Sequence, residues 1–275
     1  MTAMVCRLTD EELDALTDGS PTPVGSPYLE QLDPGGRAVA RRTAQRSLMV
    51  RRLLEPAGEL RPDLVHGSER GDTVPGRATG LVRVVLDMRA GAPLVAVLHR
   101  WTGAPRDAPP GGDEPTALSR YVHVVEDVLV TEDVTATGVH TFGLHGYADL
   151  ATVFREFLVP PDACGTVPGP PGREFTDPGD ADRLLGALRR PTVLAESVVL
   201  HALGGGAAGP PEPRTLALGP HGCFAGTPTP AGTRYRELDV DALLTDLVAE
   251  VHAAREAVDA AREAGAGPTR EAVGG

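Results

Sequence analysis

Apolar residues recur along this chain in helical and strand rhythms, and their order sets the expected architecture. Leu81-Val82-Arg83-Val84-Val85-Leu86 has helical spacing and runs on to Arg89, where Gly91-Ala92-Pro93 stops it. The next run, Leu94-Val95-Ala96-Val97-Leu98, ends at His99-Arg100-Trp101 and is an apolar strand long enough to lie inside a sheet. A Pro- and Gly-rich loop follows over 102–119. Residues 121–125, 128–133 and 139–144 then read as three strands. The breaks between them are short, so antiparallel neighbours are expected. From 147 to 158 the period returns to 3.6, with Tyr147, Leu150, Ala151, Phe154, Phe157 and Leu158 on one helix face.

The same order of elements recurs from Arg183 to Val251. A shift of 102 carries Val82, Leu86, Val97, Leu98 and His99 onto Leu184, Leu188, Val199, Leu200 and His201. A shift of 93 carries Phe142, Tyr147, Leu150, Phe154 and Leu158 onto Tyr235, Val240, Leu243, Leu247 and Val251. The difference falls in the loop after the first strand, where length changes are tolerated because closure entropy grows slowly with length. The expected fold is therefore α+β. It has duplicated helix-strand-strand-strand-strand-helix units with pseudo-two-fold symmetry, around a central, mostly antiparallel sheet flanked by helices. The expected division is 1–158 for N-terminal helices plus the first unit and 159–179 for a Pro/Gly-rich linker. The second unit is expected over 180–264, with a helix at 180–190, and a flexible tail over 265–275.

Upstream, Thr9 and Glu12 have capping-box spacing and open a helix. A second helix is expected over 36–55. Ala40, Ala44 and Leu48 recur every four residues there, and Arg37, Arg41, Arg42, Arg46, Arg51 and Arg52 cover much of the remaining surface. The last helix has the strongest pattern, Val240, Leu243, Leu244, Leu247, Val248 and Val251, with Asp239 as N-cap.

Composition narrows the function. The net charge of −12 favours solubility and disfavours nonspecific binding to nucleic acid or anionic membrane. The chain has no Lys, Asn or Ile, which reflects a GC-rich genome, so all 26 basic residues are Arg and an Arg cluster says less about phosphate than usual. Cys6, Cys164 and Cys223 form no C-x-x-C pair and suit a reducing cytosol. Residues 1–9 carry no apolar core of a secretory signal, and no run approaches the ~20 residues of a bilayer span.

Candidate chemistry is sparse. Residues 204–209 match G-x-G-x-x-G, but Pro210 and Pro211 block the helix whose N-terminus a dinucleotide needs. His99, His123, His140 and His145 lie near Glu126, Glu132 and Asp133 in sequence, yet their spacings match no metal motif. His123, between Val122 and Val124, suits a sheet-face histidine making one hydrogen bond. No nucleophile elbow or activated cysteine is evident. No catalytic residue, metal or cofactor is assigned, and a protein-binding role is expected over an enzymatic one. The alternatives are a regulatory module touching nucleic acid through the Arg-rich helix 37–55, and a metal-dependent enzyme using His99 and His123.

The pattern resembles the EspG-type chaperones of type VII (ESX) secretion, a family of GC-rich actinobacteria. The early family phrase leucine-x-x-arginine-glycine-leucine, followed by leucine-x-proline-x-leucine, is similar to residues 48–54 and to Leu60-Arg61-Pro62-Asp63-Leu64. Arg52 stands where the family has glycine. Residues 182–191 look like the short helix that opens the family's second half. The resemblance implies a cytoplasmic, non-catalytic protein that holds a secreted helical client until export. It implies a client surface at 101–114, with Trp101, Asp107, Asp113 and Glu114, and on the last helix at Leu247, Val251 and Val258.

Overall fold

The computed structural model describes residues 3–17, 23–56, 76–102, 116–159, 174–176, 193–202, 215–219, 222–230 and 232–265. In chain order these form β1 (Ala3–Thr9), α1 (Asp10–Thr17), α2 (Pro34–Val50), β2 (Leu54–Pro56), β3 (Gly76–Ala78), α3 (Gly80–Gly91) and β4 (Leu94–Thr102). Then come β5 (Thr116–Val125), β6 (Val128–Thr135), β7 (Val139–Gly146), α4 (Leu150–Leu158), β8 (Glu174–Thr176) and β9 (Val193–Ala202). The last are β10 (Thr215–Gly219), β11 (Gly222–Thr229), β12 (Gly232–Leu238) and α5 (Val240–Gly265). The chain is α+β, with antiparallel pairing between the described strands and helices flanking them. The glycine run at 204–209, the helix expected at 180–190 and Cys164 lie outside the described residues. Two compact units result, Met1–Ala92 with Ala117–Tyr147, and Pro93–Thr116 with Ala148–Gly275. The division falls after Ala92 and Tyr147 rather than in 159–179, because β4 and α4 pack with the later elements. Residues 174–176, inside the segment read as a linker, form β8.

The first unit holds strands in the order β1-β7-β6-β5. Leu8 lies opposite His140, Glu132 opposite Phe142, and Tyr121 opposite Glu132. Side chains alternate along a strand, so Leu8, Tyr121, His123, Val130, Glu132, His140 and Phe142 share one face. Helices α1, α2 and α3 cover it, closing a core of Leu13, Ala44, Leu48, Val82, Val85 and Leu86 on Leu8, Val130 and Phe142. Strand β1 was not anticipated, although Met4, Cys6 and Leu8 alternate in the sequence. The capping box forms as expected, with the Thr9 amide on Glu12 Oε2 (3.3 Å) and the Glu12 amide on Thr9 Oγ1 (3.4 Å). Glu12 also accepts from Arg51 Nη1 (2.6 Å) and Ser47 Oγ (2.9 Å), which ties the start of α1 to the end of α2.

Helix α2 stops five residues before the expected Glu55, and the cause is local. The Arg52 amide bonds to the Met49 carbonyl (3.0 Å) and the Leu53 amide to the Leu48 carbonyl (2.8 Å). This is a Schellman ending, and its left-handed position is Arg52 at φ +57°. Glycine is the residue that suits this conformation. Beyond the turn, Leu54 leaves the helix and pairs with Ala78 in the short β2–β3 ladder.

In the second unit the order is β4-β9-β10-β11-β12-β8. Val97 pairs with Val199, Ala96 with Leu200 and Leu98 with Val198. Two-residue connections join β5 to β6, where Val125 pairs Val128, and β10 to β11, where Gly219 pairs Gly222. Helix α5 packs on β4, β9 and α4 through Leu243, Leu244, Leu247 and Val251, and the Asp239 cap forms on the Asp241 amide at 2.7 Å. Helix α4 buries Leu150, Val153, Phe154, Phe157 and Leu158 and leaves Ala151 exposed. Arg100 closes its last turn, donating from Nη1 to the Phe157 carbonyl (2.6 Å) with its guanidinium over the Phe157 ring. Strand β5 starts at Thr116, so 116–119 belong to the sheet and not to the expected loop, because Leu118 and Ser119 continue the ladder to Thr135 and Val134.

The αL position gives a test. Arg52→Gly is expected to raise the denaturant midpoint at unchanged m-value, by roughly 0.5–1 kcal/mol, whereas Arg52→Ala brings no gain. Urea unfolding of both variants checks it, and equal effects would contradict the strain.

Candidate functional site

The charged side chains most deeply buried in the first unit converge on one carboxylate. Glu132 sits mid-strand on β6 with no exposed surface. Its Oε1 bonds His140 Nδ1 at 2.7 Å. Its Oε2 bonds His123 Nε2 at 2.9 Å and accepts from Arg89 Nε at 2.7 Å. The far nitrogen of His140, Nε2, bonds Asp10 Oδ1 at 2.6 Å. Asp10 Oδ2 in turn accepts the amides of Tyr28 (2.7 Å) and Leu29 (3.2 Å). Asp10 opens α1, Arg89 lies in the last turn of α3, and the histidines come from β5 and β7. Two carboxylates thus fasten two helices, three strands and the 28–29 backbone to one point.

The proton positions follow from the partners. Glu132 and Asp10 flank His140, and as carboxylates they only accept, so both His140 nitrogens donate and the ring is an imidazolium. With Arg89 it balances the two carboxylates. Burial pushes the His140 pKa down, but the hydrogen bonds and charges of Asp10 and Glu132 outweigh it and hold the pKa above the ordinary value. Burial pushes Glu132 up, and the hydrogen bonds from His123 and His140 with the Arg89 charge outweigh that. Its carboxyl is held far below the usual range. His123 makes the one hydrogen bond expected of it, with a proton on Nε2, while its buried Nδ1 has no partner.

This arrangement tethers; it does not present a reactive group. His140 has no exposed side-chain surface, and both its nitrogens are taken. Among the described residues no three of His, Cys, Asp and Glu are placed to hold a metal ion. Burial raises the Cys6 pKa to about 11 and the Cys223 pKa to about 12, so both remain thiols at neutral pH. An open groove of about 650 Å³ runs between α1 and α2, its walls including Glu12, Tyr28, Leu32, Val39 and Ala40.

The residues assigned to a client surface fall in different environments. Trp101 is half-buried near the end of β4, its ring 5.8 Å from that of His99. Asp107, Asp113 and Glu114 lie outside the described residues. Leu247 and Val251 are fully buried and hold α5 on its strands, and Val258 is 9% exposed. The outward face of α5 carries Thr245, Asp246, Ala249, His252 and Glu256 instead. No sequence signal linked Asp10 to His140, which lie 130 positions apart.

Comparison with known proteins finds a likeness among solved structures. No family model matches the chain, and no curated protein does. Among solved structures it is similar to the Mycobacterium tuberculosis type VII secretion system chaperone EspG5, solved in complex with a PE25-PPE41 dimer. Identity is 13% and the TM-score 0.37, over 72% of this chain and 89% of that one. Among the described residues no helix is long and apolar enough to cross a membrane.

The network predicts a two-sided pH dependence. Glu132, depressed in the fold, contributes stability that is present above its unfolded pKa of about 4.3 and is lost as pH falls through its native value. His140, raised in the fold, contributes stability that is full below about pH 6.5 and is lost as pH rises through its native value. Glu132→Gln is expected to cost about 3–5 kcal/mol near pH 6 and to flatten both limbs. Urea unfolding across pH checks this, and an unchanged pH profile in the variant would contradict it.

Proposed function

We propose that this protein is a non-catalytic cytoplasmic chaperone or adaptor of the type VII (ESX) secretion kind, which binds a secreted helical client protein. The register of β4 on β9 carries the reading. The shift of 102 that aligns the two sequence halves maps Val97 onto Val199, and those two residues pair. The neighbouring pairs, Ala96 with Leu200 and Leu98 with Val198, exchange under the same shift. Two equivalent strands meeting antiparallel about their own midpoint is what a pseudo-two-fold duplication requires. The strand pairs closing at Val125 and at Gly219 lie 94 positions apart, one position off the shift of 93. The left-handed Arg52 adds support, since the family glycine marks a conformation that this chain also adopts. The function itself comes by analogy with that family.

The client surface in this reading is Trp101 with the following segment through Glu114, together with the outward face of α5. Leu247 and Val251 act from beneath, as the anchors of that helix. The test is co-expression of the tagged protein with a secreted helical-hairpin protein encoded beside it. A stable complex of defined stoichiometry by light scattering is expected, and Trp101→Ala is expected to weaken it at least about tenfold, as for an aromatic anchor at an interface. Failure of every such neighbour to co-purify would contradict the proposal.

A further inference from the structure

Helix α2 contains no acidic residue, and its outward surface is unbalanced. In a chain with 38 acidic and 26 basic side chains, an arginine is surrounded by potential carboxylate partners. Arg42, Arg46 and Arg52 nevertheless pair with none among the described residues, and Arg46 reaches only Thr43 Oγ1 at 3.4 Å. Arg42, Arg46 and Val50 succeed one another at single-turn spacing, and Val50 is 84% exposed. The N-terminus of α3 is bound to this end of α2, because Thr79 donates its hydroxyl to the Arg52 carbonyl (2.6 Å) and its amide to the Leu53 carbonyl (3.1 Å). Two residues beyond Thr79, α3 turns Leu81 (52% exposed) and Val84 (49%) outward while Val82 and Val85 fill the core. Three of the six large exposed apolar residues among those described therefore lie at one corner, beside unpaired arginines. Arg52 holds its side chain there in a backbone conformation that favours glycine.

We infer that this corner docks an acidic amphipathic helix of a partner protein. The arginines complement its charge, and Val50, Leu81 and Val84 take its apolar stripe. Nucleic acid fits less well. Among the described residues the exposed side chains between the arginines are aliphatic, with no aromatic ring to stack a base. The surface lies wholly in the first unit and shares no residue with the proposed client surface, so the inference does not depend on that reading.

The test uses the full-length protein and a fluorescein-labelled synthetic helix of about 20 residues, with Leu at i, i+3, i+4, i+7 spacing and Glu elsewhere. Two controls accompany it: the same peptide with Ala for Leu, and a single-stranded DNA of similar length. Fluorescence anisotropy is expected to give micromolar binding of the Leu/Glu helix and binding weaker by about tenfold for the Ala/Glu helix. Arg46→Glu is expected to weaken the Leu/Glu helix about tenfold, and Arg52→Gly about threefold while raising the denaturant midpoint. That last pairing separates lost recognition from lost folding. Equal binding of both peptides, tighter binding of the DNA, no binding of the Leu/Glu helix, or unchanged binding by Arg46→Glu would each overturn the inference.

Discussion

A carboxylate cannot sit uncompensated in the middle of a sheet; its desolvation would cost more than most packing returns. Glu132 has no exposed surface, so the first unit must bring it donors, and three arrive from three separate elements. Each donor fixes its carrier. Arg89 sets the position of α3, and His123 and His140 hold the register of β5 and β7 on β6. Through Asp10, His140 extends the constraint to α1 and to the backbone at Tyr28 and Leu29. The apolar core around Phe142 and Leu48 supplies the bulk of the burial, but apolar contact is indifferent to small slips. The charged network is not, because a displaced donor leaves a buried charge unmet.

A strand pair in the second unit is built the opposite way. Glu132 lies opposite Phe142 on β6 and β7, and Gly226 lies opposite Tyr235 on β11 and β12. A Cβ at Gly226 would come within 2.7 Å of Thr233 Cγ2 and 3.0 Å of Tyr235 Cε1, so no side chain fits there. One meander is registered by charge and the other by close packing. The two units therefore differ in how their strands are held. The first carries the N-terminal helices through its network. In the second, α5 is seated by the buried row Leu243, Leu247 and Val251.

Much of the fold was legible because it rests on short-range pattern. The apolar run 94–98, the strand at 121–125 and the spacing from Val240 to Val251 all gave elements of the expected type. Boundaries moved where a tertiary contact overrode the pattern. Residues 116–119 are polar enough to read as loop but continue a ladder, and Leu53 and Leu54 look helical until Arg52 turns the chain. The buried network was not legible. Glu132 and Asp133 are neighbouring acids in sequence, and only the pleat sends the first inward and leaves the second at the margin with Arg120. Leu247 and Val251, expected at a client surface, are apolar positions on α5 and lie buried.

The most direct test of this account is the protonation of His140. Nitrogen-15 spectra of the two ring nitrogens at pH 7, assigned by comparison with a His140→Gln variant, report it without perturbing the fold. Both nitrogens are predicted at the protonated imidazolium position, donating to Asp10 and Glu132 together. One nitrogen at the unprotonated position would mean that Asp10 or Glu132 carries the proton and donates it to the ring, which contradicts the charged network described.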